Sequence, residues 1–155
     1  MIERTLIILK PDAVQRGLMG QILDRFERKG LKVVGARFTR LSRELVEKHY
    51  APHKGKGFYE GLVSFMSAAP VLLLCLEGPS AIQLCRNLMG HTFGTEAAPG
   101  TVRGDFGCSR GLNLIHGSDS PASAESEIAL FFKPEELVEY ELRNSRWLFT
   151  DEDRK

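Results

Sequence analysis

Residues 113–120 read N-L-I-H-G-S-D-S. Leu114 and Ile115 look like a buried strand, and Gly117 follows His116 at once, so the imidazole should emerge from a strand end into a tight turn. That placement suits presentation to a ligand, and a neutral imidazole carries a lone pair fit for nucleophilic attack or proton transfer. A lone histidine is nevertheless more often a surface or core residue than a catalyst. Glu125 and Glu127 follow on a predicted helix, with Glu127 one turn before Phe131 on or near the inward face. A carboxylate there could hold one ring nitrogen and leave the other as the nucleophile. The alternative for Glu127 is a solvated helix charge. Ser118 either assists through a hydrogen bond or only favours the turn.

Cationic groups lie at several distant positions. Arg86 sits near the end of a predicted helix, Arg103 in T-V-R-G-D-F (101–106), and Lys10 before Pro11. Guanidinium forks match phosphate oxygens, so these three with Thr92 would make a strong polyanion site if they converge. Taken singly, each base is a surface charge and Thr92 a loop hydroxyl. There is no G-x-x-x-x-G-K-[ST], which excludes the P-loop solution. No His, Cys or Asp cluster with ligand spacing surrounds His116, so no protein-held metal is expected. H-K-G-K-G-F-Y (53–59) combines basic and aromatic residues as nucleic-acid contacts do. The plainer reading is a solvated loop leading into a helix anchored by Phe58, and a third has Phe58 stacking on a base.

At 155 residues the chain suits one domain, 1–155. Its 21 basic side chains nearly balance 20 acidic ones, so net charge predicts no affinity for nucleic acid or anionic membrane. Any anion site must be local. The longest apolar run, Val71 to Leu76, is far shorter than the roughly 20 residues that cross a bilayer. M-I-E-R-T carries an acid where a signal peptide would be basic, and a cytoplasmic protein is expected. Cys75, Cys85 and Cys108 lack C-x-x-C spacing, which fits reduced thiols. Cys75 and Cys85 are expected in the core and Cys108 in a polar loop.

The elements that must position these residues follow from periodicity. Thr5 to Leu9 is an apolar run expected of a strand buried on both faces, with Lys10 extended before Pro11. Ile22, Leu23 and Phe26 predict a helix stopped by Gly30. Leu31 to Leu41 predicts a strand of mixed polarity. Ser42 caps a short helix to Tyr50, and Phe58 to Met66 predicts another. Val71 to Leu76 predicts the third strand, closed by Glu77-Gly78-Pro79, and Ser80 caps a helix through Met89. Gly90 to Asn113 has no sustained periodicity and reads as a long loop. After a short last strand, Ser120-Pro121 opens a final helix whose apolar face is Ala124, Ile128 and Phe131. This β-α-β-(αα)-β-α-β order is the split β-α-β pattern, which predicts an α+β protein: a four-stranded, mainly antiparallel sheet with helices packed on one face.

K-P-D-A-V-Q-R-G (10–17), R-G-D-F (103–106) and above all I-H-G-S-D-S (115–120) resemble the nucleoside diphosphate kinase family, with the likeness running from Glu3 to about Trp147. The resemblance implies a ferredoxin-like fold and a ping-pong kinase reaction on ATP and other nucleoside tri- and diphosphates, through a phosphohistidine on His116. By the same resemblance Glu127 and Ser118 orient the imidazole and Tyr50 lies beside it. Lys10, Arg86, Thr92 and Arg103 would hold phosphates, Lys10 and Asn113 the sugar, and Phe58 the base, with Mg²⁺ arriving on the nucleotide. It also implies a homo-oligomer, hexamer favoured over tetramer, with residues 134–155 as a tail at a subunit interface or folded back on its own subunit. No stable nucleic-acid or membrane partner is expected. Three departures stand out: Leu112 in place of arginine, Phe93-Gly94 in place of Asn-Pro with a looser loop expected, and Arg110 near the base but expected in solvent. The rival reading is a catalytically silent ferredoxin-like nucleotide-binding regulatory module.

Overall fold

A computed structural model describes all of residues 1–155. Strands β1 (Ile2–Leu9), β2 (Lys32–Thr39), β3 (Val71–Pro79) and β4 (Ile115–Gly117) form one sheet in the order β2-β3-β1-β4, with every neighbouring pair antiparallel. The helices are α1 (Pro11–Gln15), α2 (Met19–Arg28), α3 (Arg43–His49), α4 (Tyr59–Ala68), α5 (Ala81–Met89), α6 (Val102–Phe106), α7 (Pro121–Phe131) and α8 (Ser145–Leu148). None is long and apolar enough to cross a membrane. The fold is ferredoxin-like α+β, as expected.

Helices cover both faces of the sheet, not one. Along β1, Leu6 and Ile8 pack with Val46, Val63, Met66 and Phe131, which places α3, α4 and α7 on their side. Ile7 and Leu9 pack with Ile22, Phe26, Cys85 and Met89, which places α2 and α5 on the other. Successive side chains of a strand point to opposite faces, so a run without polar alternation requires cover on both sides. Each fully buried aliphatic side chain stabilises by about 1.5–3 kcal/mol, which makes β1 the fixed centre against which β4 is set. Cys75 and Cys85 lie in opposite layers, and burial pushes their thiols up to about 11 and about 12.

Several boundaries differ from the periodicity. β2 reads as mixed because its register slips between Val33 and Gly35, so Val34 and Gly35 are both buried. β3 continues through Glu77-Gly78-Pro79 because these residues pair with Ile2–Arg4 of β1. Glu77 is held there by Lys32 at 2.5 Å and Arg4 at 2.8 Å. Ser42 and Ser120 cap α3 and α7, accepting from Leu45 N and Ser123 N. Ser80 does not cap α5: its backbone is left-handed (φ 50) and its side chain makes no capping bond. Glu3 Oε2 reaches across from β1 instead and accepts from Ile82 N at 3.3 Å.

The stretch 90–113 is more ordered than its sequence suggests. It holds a 3₁₀ turn at Gly94–Glu96 and α6, which Thr101 caps by accepting from Gly104 N at 2.9 Å. These elements are too short to display a period. Gly94 tightens the loop rather than loosening it, since a Cβ there would fall on the Gly107 carbonyl. Arg110 is exposed, as expected, and its guanidinium lies 4.1 Å over the Phe93 ring and donates to Glu96 at 3.0 Å. The tail folds back along β2, with Val138 N donating to Val34 O at 2.8 Å and Tyr140 OH to Val33 O at 2.6 Å. Leu148 and Phe149 rest against Gly30 while Trp147 stays 79% exposed.

Gly94→Ala is expected to destabilise the protein by about 1–3 kcal/mol through overpacking on Gly107. Urea denaturation reads this as a lowered midpoint. An unchanged midpoint would contradict the tight-loop account.

Candidate active site

His116 is placed by β1 and by the turn before it. It pairs with Ile8, so its side chain leaves the sheet on the face covered by α3, α4 and α7. Leu114 has φ 71, a left-handed conformation that costs a non-glycine residue about 1–3 kcal/mol. Two hydrogen bonds hold it: Leu114 N donates to Asp12 Oδ2 at 3.0 Å, and Lys10 N donates to Leu114 O at 2.8 Å. Beyond His116, Ser118 N donates to Leu6 O at 3.1 Å. The short strand is thus clamped at both ends.

The nearest partner of His116 is Glu127, from α7. Nε2 lies 3.0 Å from Glu127 Oε2, and Ser118 Oγ donates to that same oxygen at 2.6 Å. Ser118 is itself buried, its Oγ accepting from Leu6 N at 3.3 Å. Burial works to raise the Glu127 pKa, but the hydrogen bonds and charge of His116 and the Ser118 hydrogen bond outweigh it and hold the carboxyl below its ordinary value. An ionised carboxylate can only accept, so Nε2 carries the proton. In the neutral ring Nδ1 then keeps its lone pair, ready to attack.

His49, absent from the sequence-based candidates, stands against this pair. The last residue of α3, it meets the His116 ring edge-on at 4.7 Å and Tyr50 at 4.4 Å. Burial, then the neighbouring His116, pushes His49 down to about 3, so it is neutral. Both of its nitrogens and the Tyr50 hydroxyl are buried without a hydrogen-bond partner. Tyr50 packs its ring on His49, and the Glu127 charge acts on its hydroxyl. His49, His116 and Glu127 offer ligand atoms within 4.8 Å of one another, a cluster in space that the sequence spacing around His116 does not display. The cluster joins three separate elements, so no local spacing announces it. Glu125 turns elsewhere, lining with Ile2, Ile82 and Phe132 a groove of about 680 Å³ that does not include His116.

The basic residues converge around the same strand. Lys10 Nζ donates to Asn113 Oδ1 at 2.7 Å, and Asn113 Nδ2 donates to the Thr92 carbonyl at 3.0 Å. Burial, then Arg103, pushes Lys10 down to about 8. Arg103 is buried and donates to the carbonyls of Asn113 (3.1 Å), Gly90 (3.2 Å) and Ile115 (2.6 Å). Burial and Arg86 push it down to about 10. Its fork is committed to the frame around β4, while its charge remains in the site. Arg86 is exposed and donates once, to Gly117 O at 3.3 Å. Thr92 is exposed. Phe58, 55% exposed, presents its ring at the rim beside His53, 5.5 Å away.

A strand-end histidine oriented by a buried carboxylate and ringed by cations is an arrangement for phosphoryl transfer on a ferredoxin-like scaffold. A model of the nucleoside diphosphate kinase family matches residues 3–137. A relative from Pelotomaculum thermopropionicum named nucleoside diphosphate kinase is 53% identical over 148 residues, covering 96% of this chain and 99% of its own. The solved nucleoside diphosphate kinase of Halobacterium salinarum, in complex with CDP, superposes with a TM-score of 0.95 at 49% identity, covering 97% and 100% of the two chains. That of Borrelia burgdorferi, a transition-state mimic with vanadate and ADP, does so with a TM-score of 0.87 at 36% identity, covering 93% and 95%. The chain belongs to the nucleoside diphosphate kinase family. It is an enzyme of nucleotide phosphotransfer, not a silent module.

Arg103→Leu would strip the charged donors from three backbone carbonyls and is expected to cost on the order of 3–5 kcal/mol. A thermal melt that left the midpoint unchanged would contradict the framing role assigned to Arg103.

Proposed function

We propose that His116 carries the phosphoryl group in a ping-pong exchange between nucleoside triphosphates and diphosphates. The observation that carries this reading is the single Glu127 oxygen that binds both His116 Nε2 and Ser118 Oγ. Nδ1 attacks the γ-phosphorus in line, the Nδ1–P bond forms, and the bond to the bridging oxygen breaks with its electron pair going to the departing diphosphate. The ring acquires positive charge as this happens. Glu127, accepting from Nε2–H, stabilises that charge without taking the proton. A second nucleoside diphosphate then attacks the phosphohistidine and the steps run in reverse.

The other residues bind and orient. Lys10, Arg86, Thr92 and Arg103 face the phosphates with charge or hydroxyl, Lys10 and Asn113 meet the sugar, and Phe58 stacks on the base. Stacking accepts any base because every base has a π-face, which accounts for broad specificity. Tyr50 lies beside the imidazole. The cations at the site are arranged for an anion, and no group of several oxygen ligands such as Mg²⁺ prefers lies among them. Mg²⁺ therefore enters as part of the nucleotide substrate. The relatives bound to CDP and to vanadate with ADP support the same substrate class for this chain. The exposed Trp147 on the tail, residues 134–155, gives a homo-oligomer, a hexamer, an aromatic surface to bury between subunits. The protein acts in the cytoplasm, where nucleotides and reduced thiols coexist.

Incubation with γ-labelled ATP and Mg²⁺ is expected to label the protein in an acid-labile, base-stable form that a nucleoside diphosphate discharges. Wild-type protein that stays unlabelled, or His116→Ala protein that labels equally well, would contradict the proposal. Lys10 supplies a second test. Its charge is present below about 8 and lost above, so the KM for the diphosphate should rise through that pH toward the value of Lys10→Met. Lys10→Met should show no such inflection, and a wild-type KM flat from neutrality to pH ~9 would remove Lys10 from phosphate binding.

A further inference from the structure

We propose that His49, His116 and Glu127 form a site for a borderline divalent transition-metal ion, of which Zn²⁺ is the type, and that its binding switches the nucleophile off. Two imidazoles and a carboxylate are a donor set that suits Zn²⁺ and not Mg²⁺. Their ligand atoms lie within 4.8 Å of one another, and His116 Nε2 and Glu127 Oε2 are already 3.0 Å apart. Ligands at about 2.1 Å around a tetrahedral ion stand about 3.4 Å apart, so a small rotation of His49 completes the set.

Nothing in the fold opposes that rotation through a hydrogen bond, because both His49 nitrogens are unpartnered. Lys10 acts on the same ring and weakens cation binding, and the anionic Glu127 offsets it. His116 and Glu127 keep 22% and 18% side-chain exposure, which leaves a fourth position open to water.

The consequence is a tautomer change. Nε2 can give its lone pair to the metal only when its proton leaves. The proton moves to Nδ1, the ring stays neutral, and no proton is released overall. Nδ1 then holds an N–H bond where it held a lone pair, and attack on phosphorus stops. Only this effect on catalysis rests on the phosphohistidine proposal, since metal binding itself does not.

The test uses the full chain carrying Cys108→Ser, because the free thiol of Cys108 is exposed and would compete for metal. Co²⁺ is the spectroscopic probe. One equivalent should produce visible ligand-field bands that Zn²⁺ abolishes by displacement, and labelling by Mg-ATP should fall over the same Zn²⁺ range. His49→Gln and Glu127→Gln should each weaken metal affinity at least about tenfold. Imidazole nitrogen NMR on metal-bound protein should place the His116 proton on Nδ1. A folded protein without bands, or His49→Gln protein that binds Zn²⁺ as tightly as its parent, would overturn the site. If bands form but metal-free protein never labels, the metal site stands and the phosphohistidine proposal falls.

Discussion

The hydrogen bond between His116 Nε2 and the Glu127 carboxylate decides what the site can do. An imidazole has two nitrogens of nearly equal basicity, and without a fixed partner either one could carry the proton. Glu127 is ionised and accepts only, so it assigns the proton to Nε2 and the lone pair to Nδ1. Ser118 keeps the carboxylate from turning away, and Ser118 is anchored by the backbone of β1 at Leu6. The nucleophile is therefore oriented by a chain of contacts that ends in the central strand.

The rest of the fold serves this arrangement in two ways. β1 is buried on both faces, so it cannot shift, and β4 takes its register from it through Ile8 and His116. The left-handed Leu114 is held by Asp12 and by Lys10 N, and Arg103 ties the carbonyls of Gly90, Asn113 and Ile115 together. The second service is electrostatic. Burial depresses both Lys10 and Arg103, helped by Arg103 at Lys10 and by Arg86 at Arg103, which means that their charges are held at a cost. In the proposed reaction a polyphosphate beside these two cations would relieve that cost. Glu127 is too occupied with His116 and Ser118 to neutralise them.

Much of this was legible in the sequence. The uninterrupted Thr5–Leu9 run announced a central strand, and the same run implied helices on both faces, although the element order suggested one. His116 at a strand end and Glu127 one turn before Phe131 were readable from period alone; the family resemblance directed attention to Lys10 and Asn113, which the structure joins by a hydrogen bond. His49 was not readable, because its partners come from other elements and a histidine at a helix end carries no local signature. Asp12 was hidden for a related reason, since its use is to satisfy a strained residue far along the chain. Gly94 misled because glycine in a loop suggests freedom, and only the approach of Gly107 shows that the position demands it. Ser80 misled because its position fits a cap while its left-handed backbone turns the side chain from the task.

In the proposed reaction Glu127 leaves Nδ1 as the attacking atom. Nitrogen NMR of the phosphorylated protein, labelled with ¹⁵N in its histidines, tests this most directly by showing which ring nitrogen couples to phosphorus. Coupling at Nδ1, with Nε2 still protonated toward Glu127, is the predicted result. A phosphorus bonded to Nε2 would contradict the account, because that nitrogen could not then hold the hydrogen bond on which the site is built.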